Sequence, residues 1–244
     1  MSIPGISLCC RFAYPPNSLF LCGPEKQKDL KWYSENQSQD KGTFEILSQF
    51  STLYPYLKLI ASFNNIPDLF DERIVAAYWI GNSLLENIPI RRFVSHLEDD
   101  LDLKIKIKRK DRQILFDKIV QGGLPHHSFH VLNIYKRTGH LDIPQTIETM
   151  DACIINFGKV TKITHNLICV KTQPLTITNG KLTWGNEKER CLIKQGQEDR
   201  VISDISVGDY VSYHWGYFCT KLNLNQVMQL RHYTEISMHF ASKI

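Results

Sequence analysis

The chain lacks any apolar run near the ~20 residues a membrane span needs, so no spanning helix is expected. Its first residues, Met1-Ser2-Ile3-Pro4-Gly5-Ile6, show no basic stretch ahead of an apolar core, so no secretory leader is expected. The excess of one charge sign is small: the formal net charge is +4 over 244 residues, too little to point to nucleic acid by itself. There is no Walker loop, no Cys-x-x-Cys pair and no Ser-His-Asp order, so no familiar reaction is written in a motif. Internal repeats and low-complexity tracts are also missing. The seven cysteines are odd in number and have no framework-like spacing, so they read as reduced thiols in a cytoplasmic protein.

What is present suffices for a core. Hydrophobic residues make up 43% of the chain, which excludes a disordered class. Residues 1–40 mix Pro, Gly, Asn and Ser with short apolar pieces, and Leu19-Phe20-Leu21-Cys22 reads as a strand or buried segment stopped by Gly23-Pro24. Thr43 is placed to cap a helix through Phe44, Leu47 and Phe50. Asp71 is placed to cap one through Ile74, Val75, Tyr78 and Trp79. Pro89 starts another, and a further helix spans Asp111 to Val120. Lys104 to Lys110 alternates charge with isoleucine and reads as a charged edge strand.

Gly139 to Thr149 reads as a linker, and beyond Cys153 the pattern changes to short strands. The strands are 159–163, 167–171, 175–178, 181–184, 191–194 and 210–215, with Asn179-Gly180 as a two-residue hairpin turn. Asn223 then caps a closing helix lined by Val227, Leu230, Tyr233, Ile236 and Phe240. The fold class is therefore α+β. A mostly helical N-terminal domain (1–145) precedes a small OB-like β-barrel with a C-terminal helix (146–244).

Two residues far apart offer metal chemistry. Cys153 stands before the first strand, and His214 sits in a strand after the Gly208-Asp209 turn. A soft thiolate and an imidazole brought together across a barrel suit a transition metal. His214 alternates with Tyr210 and Ser212, opposite the more apolar Val211, Tyr213 and Trp215, which places it on the outer or groove side. His126, His127 and His130 form a weaker candidate cluster, because residues 126 and 130 would share a helix face. Cys22, before a Gly-Pro turn, and the adjacent Cys9 and Cys10 read first as packed thiols. Asp68, Asp71 and Glu72 near Arg73 read as a capped helix start.

The C-terminal part resembles the small hydrogenase-assembly chaperones of the HypC/HupF kind. The resemblance rests on Cys153 followed by Gly158-Lys159-Val160, then on Val207-Gly208-Asp209-Tyr210-Val211 running into His214-x-Gly216. It covers roughly residues 150–240. The chain departs from the family in three ways: the cysteine is internal, Ile155 and Phe157 stand where the family has Gly and Pro, and the segment between Ile177 and Arg200 is longer.

The resemblance implies a carrier of an iron centre with cyanide and carbon monoxide ligands, held through Cys153 and His214. It also implies a maturation scaffold protein and a hydrogenase large subunit as partners, in the cytoplasm; the lack of a long apolar run argues against a membrane, and the weak net charge argues against nucleic acid. On this reading the protein is a metallochaperone, not an enzyme. The alternatives are a metal-dependent enzyme using the histidine cluster, or an OB-type binding module.

Overall fold

The computed structural model describes residues 3–134, 145–196 and 204–241. It is an α+β protein with a helical first part and a mostly sheet C-terminal part that ends in a helix. The helices are α1 (Gly5–Ser18), α2 (Gln27–Asn36), α3 (Lys41–Ser48), α4 (Leu53–Phe63), α5 (Glu72–Trp79), α6 (Ile90–Ser95), α7 (Leu103–Lys106), α8 (Arg109–Val120), α9 (His127–Phe129), α10 (Ile147–Cys153) and α11 (Leu224–Ala241).

The expected Asp71 cap is present: its carboxylate accepts from the Arg73 amide. The cap before α3 is Asp40, not Thr43; the Thr43 amide donates to Asp40. Lys104 to Lys110 is not an edge strand. It forms α7 and the start of α8, where Lys104 and Lys106 pair with Asp99 and Asp102. Leu19 to Cys22 is likewise no strand but the turn that follows α1.

Helix α1 is buried from nearly every side, as a central helix must be. It carries Pro15 and Pro16 in its last turns. Each proline lacks the N–H that would reach the carbonyl four residues back. The carbonyls so released belong to Arg11 and Phe12. Gln195 Nε2 donates to the first at 2.8 Å, and the second faces His214 Nδ1 at 2.7 Å. Two prolines that would break an isolated helix thus open docking points for the C-terminal part.

The strands are β1 (Asn156–Ile163), β2 (Leu167–Thr172), β3 (Leu175–Thr178), β4 (Lys181–Trp184), β5 (Lys188–Ile193), β6 (Tyr210–His214) and β7 (Tyr217–Leu222). Five of them pair in the order β1-β2-β5-β7-β6 and close through β6 onto β1. The β5–β7 contact is parallel; the other pairs are antiparallel. The β3–β4 hairpin stands apart and turns at Asn179-Gly180, both at positive φ as such a turn demands.

Val160, Ile168, Val170, Leu192, Val211, Tyr213 and Phe218 fill the closed sheet. The largest core joins both parts of the chain, since helical residues such as Phe12 and Trp79 share it with Ile155, Cys219, Leu222 and Tyr233. Cys169 and Cys191 lie directly opposite each other on β2 and β5 and form a disulfide. The expectation of seven reduced thiols is corrected by that pairing: cross-strand neighbours bring two cysteines within bonding reach whatever their sequence spacing.

The expected linker lies partly in 139–144, outside the described residues. Its end is helical, because Thr146 and Thr149 form a reciprocal cap at the start of α10. Asn223 and Gln226 cap α11 in the same manner.

Candidate metal centre

Cys153 does not open a strand; it is the last residue of α10. A helix ends with carbonyls that have no partner inside the helix. The Cys153 carbonyl is met by two imidazoles: His127 Nε2 lies 2.8 Å from its oxygen and His214 Nε2 lies 2.9 Å away. The Cys153 thiol joins them. One ligand atom from each of His127, Cys153 and His214 lies within 4.8 Å of the other two. All three residues are buried, at 8%, 3% and 1% exposure.

Three elements supply the cluster. His127 comes from α9 in the helical part, Cys153 from the end of α10, and His214 from the end of β6. His214 does lie on the strand face opposite Val211 and Tyr213. That face is not open, because α1 and α5 cover it, with Phe12 and Trp79 against the site. The expectation of a groove-side histidine is corrected on this point. The Trp79 ring stands 4.5 Å from the His127 ring and 5.7 Å from the His214 ring, between centroids, and walls off water.

The other two histidines of the cluster do not join. His126 caps α9, its Nδ1 accepting from the Ser128 amide at 3.3 Å. His130 Nδ1 meets the Tyr56 hydroxyl at 3.0 Å. Pairing 126 with 130 by helical spacing fails because His126 is the extended N-cap of α9, where its side chain turns back to the Ser128 amide instead of following the helix face. Cys22 is half-buried beside the core, and burial, with Cys153 nearby, pushes its thiol up to about 12. Cys9 and Cys10 lie inside α1, fully buried, and burial holds both thiols neutral.

Both site histidines have an outer partner on Nδ1. Tyr78 Oη lies 3.3 Å from His127, and the Phe12 carbonyl lies 2.7 Å from His214. Such outer partners fix ring orientation, as they do for metal-binding histidines. Their protonation differs. His127 faces one carbonyl and one hydroxyl, and a single ring proton satisfies both contacts. His214 faces a carbonyl oxygen on each side, so satisfying both needs two N–H groups. Burial forbids the second proton near neutral pH and pushes the His214 value down to about 4, against the opposing pull of the Phe12 and Cys153 carbonyls. Burial, reinforced by the neighbouring His214, holds His127 well below its ordinary value as well. A neutral His214 therefore presents a lone pair to a carbonyl oxygen at hydrogen-bond distance, an unfavourable contact unless a cation lies between them.

The donor set fits a borderline metal ion: two imidazoles and one thiolate, dry surroundings and oriented rings. Metal binding would fall to His127, Cys153 and His214, and the outer contacts from Tyr78 and Phe12 would hold the rings in place.

Beside the site, Asp151 clamps α10 to the sheet. Its carboxylate accepts from the Leu175 amide at 2.8 Å and from Arg190 at 2.7 Å, and the Arg190 guanidinium lies over the Tyr213 ring.

Fold and site define a class: an α+β protein with a buried His/His/Cys cluster between its helical and sheet parts. The chain belongs to the family described as "Family of unknown function (DUF6390)", which matches residues 1–244. No curated protein and no solved structure matches it.

Proposed function

We propose that this chain is a metal-holding protein in which His127, Cys153 and His214 bind one transition-metal ion. The observation that supports the reading is His214 held between the carbonyls of Phe12 and Cys153, at 2.7 and 2.9 Å, with no second proton to satisfy both. A bound cation at Nε2 removes the conflict and also compensates a Cys153 thiolate. Burial suits a resident ion better than a rapidly exchanging one. The test is cobalt(II) titration of the purified chain. A thiolate-to-metal charge-transfer band is expected with one equivalent of cobalt, and it should vanish in Cys153→Ser. A featureless spectrum in the unmodified chain would end the proposal.

A second reading is favoured by the convergence of Cys153 and His214, the two residues singled out by the resemblance to hydrogenase-assembly chaperones. The closed sheet also supports an OB-like barrel, since its five strands numbered in chain order run 1-2-3-5-4 with one parallel contact. On this reading the cargo is the iron centre with cyanide and carbon monoxide ligands, a maturation scaffold protein loads it, and a hydrogenase large subunit receives it. The helical part, tied to the barrel in one chain, raises the effective concentration of whatever it binds. Cytoplasmic placement goes with this reading. Infrared spectra after anaerobic co-expression with the maturation proteins test it: cyanide and carbonyl bands lost in Cys153→Ala support the carrier, and their absence from the unmodified chain removes it.

A further inference from the structure

A second concave site lies on the outside of the sheet, away from the histidines. Its volume is about 210 Å³, and β1, β2, β6, the end of β4 and α11 enclose it. Across its floor the register places Lys159 of β1 directly between Lys171 of β2 and Tyr210 of β6. Two lysines directly opposite each other repel and destabilise the strand pair. Glu187 offsets one of them, lying 3.4 Å from the Lys171 ammonium. Lys159 pairs with no carboxylate among the described residues. The floor therefore carries an uncompensated cation.

The walls are aromatic. Phe157 and Tyr210 stand edge to face at 6.5 Å, and Trp184 closes the far end. The Arg231 guanidinium lies 5.9 Å from the centre of the Trp184 ring. Glu235 fixes both groups, accepting from Arg231 Nε at 2.8 Å and from Trp184 Nε1 at 3.0 Å. Arg231 also reaches Gln173 at 3.3 Å. The far end is thus pre-organised, with a flat ring and a planar cation locked side by side.

Planar walls beside fixed and free cations suit a flat ring that carries an anionic group: the ring stacks and the anion meets the lysines and arginine. The volume lies below the range of about 300–1,000 Å³ typical for drug-sized ligands, so the pocket holds one unit at a time. We propose that this pocket binds one nucleotide unit, base and phosphate together, either as a free mononucleotide or as part of a single strand.

The experiment is calorimetric titration of the full chain with adenosine monophosphate, adenosine, inorganic phosphate and a short oligodeoxyadenylate. The monophosphate should bind at least about tenfold more tightly than adenosine or phosphate alone. The double variant Lys159→Met, Lys171→Met removes the cations from exposed positions and should weaken binding at least about tenfold. Trp184→Leu should weaken it independently. Tighter binding of the oligonucleotide, with the same dependence on the variants, assigns the source to a strand; tighter binding of the monophosphate assigns it to a free nucleotide. No binding by either nucleotide form, or binding that the double variant leaves unchanged, overturns the proposal.

Discussion

His214 takes up a hydrogen-bond acceptor that Pro16 leaves open in its own helix. Pro16 has no N–H to offer the Phe12 carbonyl, and His214 Nδ1 lies 2.7 Å from that oxygen. The ring is thereby pinned to α1 before any ion is considered. Pro16→Ala restores a competing donor and should loosen His214. Outer partners of metal-binding histidines are worth about 10–100-fold in affinity, so metal affinity should drop by at least about tenfold. Helix stability should not fall, because alanine is the better helix former. Competition against a chromogenic chelator reads the affinity, and an unchanged value would mean that this contact does not orient the ligand.

Acid should unfold the metal-free protein early. His126, His127, His130 and His214 are all buried, and burial pushes each below its ordinary value, His126 to about 3 and His214 to about 4. The unfolded chain therefore takes up protons that the folded chain refuses. Stability is full above the unfolded value of about 6.5 and declines as pH falls towards the folded values, by about 1.4 kcal/mol per pH unit for each histidine. Urea midpoints measured from about pH 7 down to about pH 5 should fall steeply. His126→Gln, which lies outside the metal cluster, should make the decline shallower, and an equal slope in that variant would contradict its neutral burial.

Asp151 holds the end of α10, and with it Cys153, against the sheet. Asp151→Ala leaves Arg190 half-buried without its carboxylate and the Leu175 amide without its acceptor. Breaking a buried pair from one side costs about 3–5 kcal/mol, and partial exposure of Arg190 favours the lower end. Denaturant unfolding measures it. A loss under about 0.5 kcal/mol, the range of an inert surface change, would show that the clamp contributes nothing.

The Cys169–Cys191 bond spans 22 residues of chain and should contribute about 3 kcal/mol through the unfolded state. Cys191→Ser should lower stability by that amount, and a reductant should do the same to the unmodified chain. Thiol titration of the unfolded, unreduced chain should find five free cysteines. Seven would show that the bond does not form.

Much of the C-terminal part was legible because its signals are local. Alternation, the Asn179-Gly180 turn and the Asn223 cap depend on near neighbours, and they mark β1 to β6 and α11 closely. Strand β7 went unmarked: its buried Phe218, Cys219 and Thr220 form a run that does not alternate. Helix α1 was hidden by Pro15-Pro16, which read as a breaker until a tertiary partner takes up the released carbonyls. The lysine-isoleucine alternation at 104–108 resembles a strand, yet Asp99 and Asp102 draw the lysines onto a helical turn. Within the site, Cys153 and His214 could be paired from motif spacing. His127 could not be preferred over His126 or His130, because the choice depends on where α9 meets the end of α10, and no short-range pattern records that.

X-ray absorption on the metal-loaded chain examines the central claim most directly. With zinc, the account predicts one sulfur at about 2.3 Å and two imidazole nitrogens at about 2.0–2.1 Å, with the sulfur shell absent in Cys153→Ser. A first shell made only of oxygen and nitrogen in the unmodified protein, or a sulfur shell that survives the substitution, would contradict it.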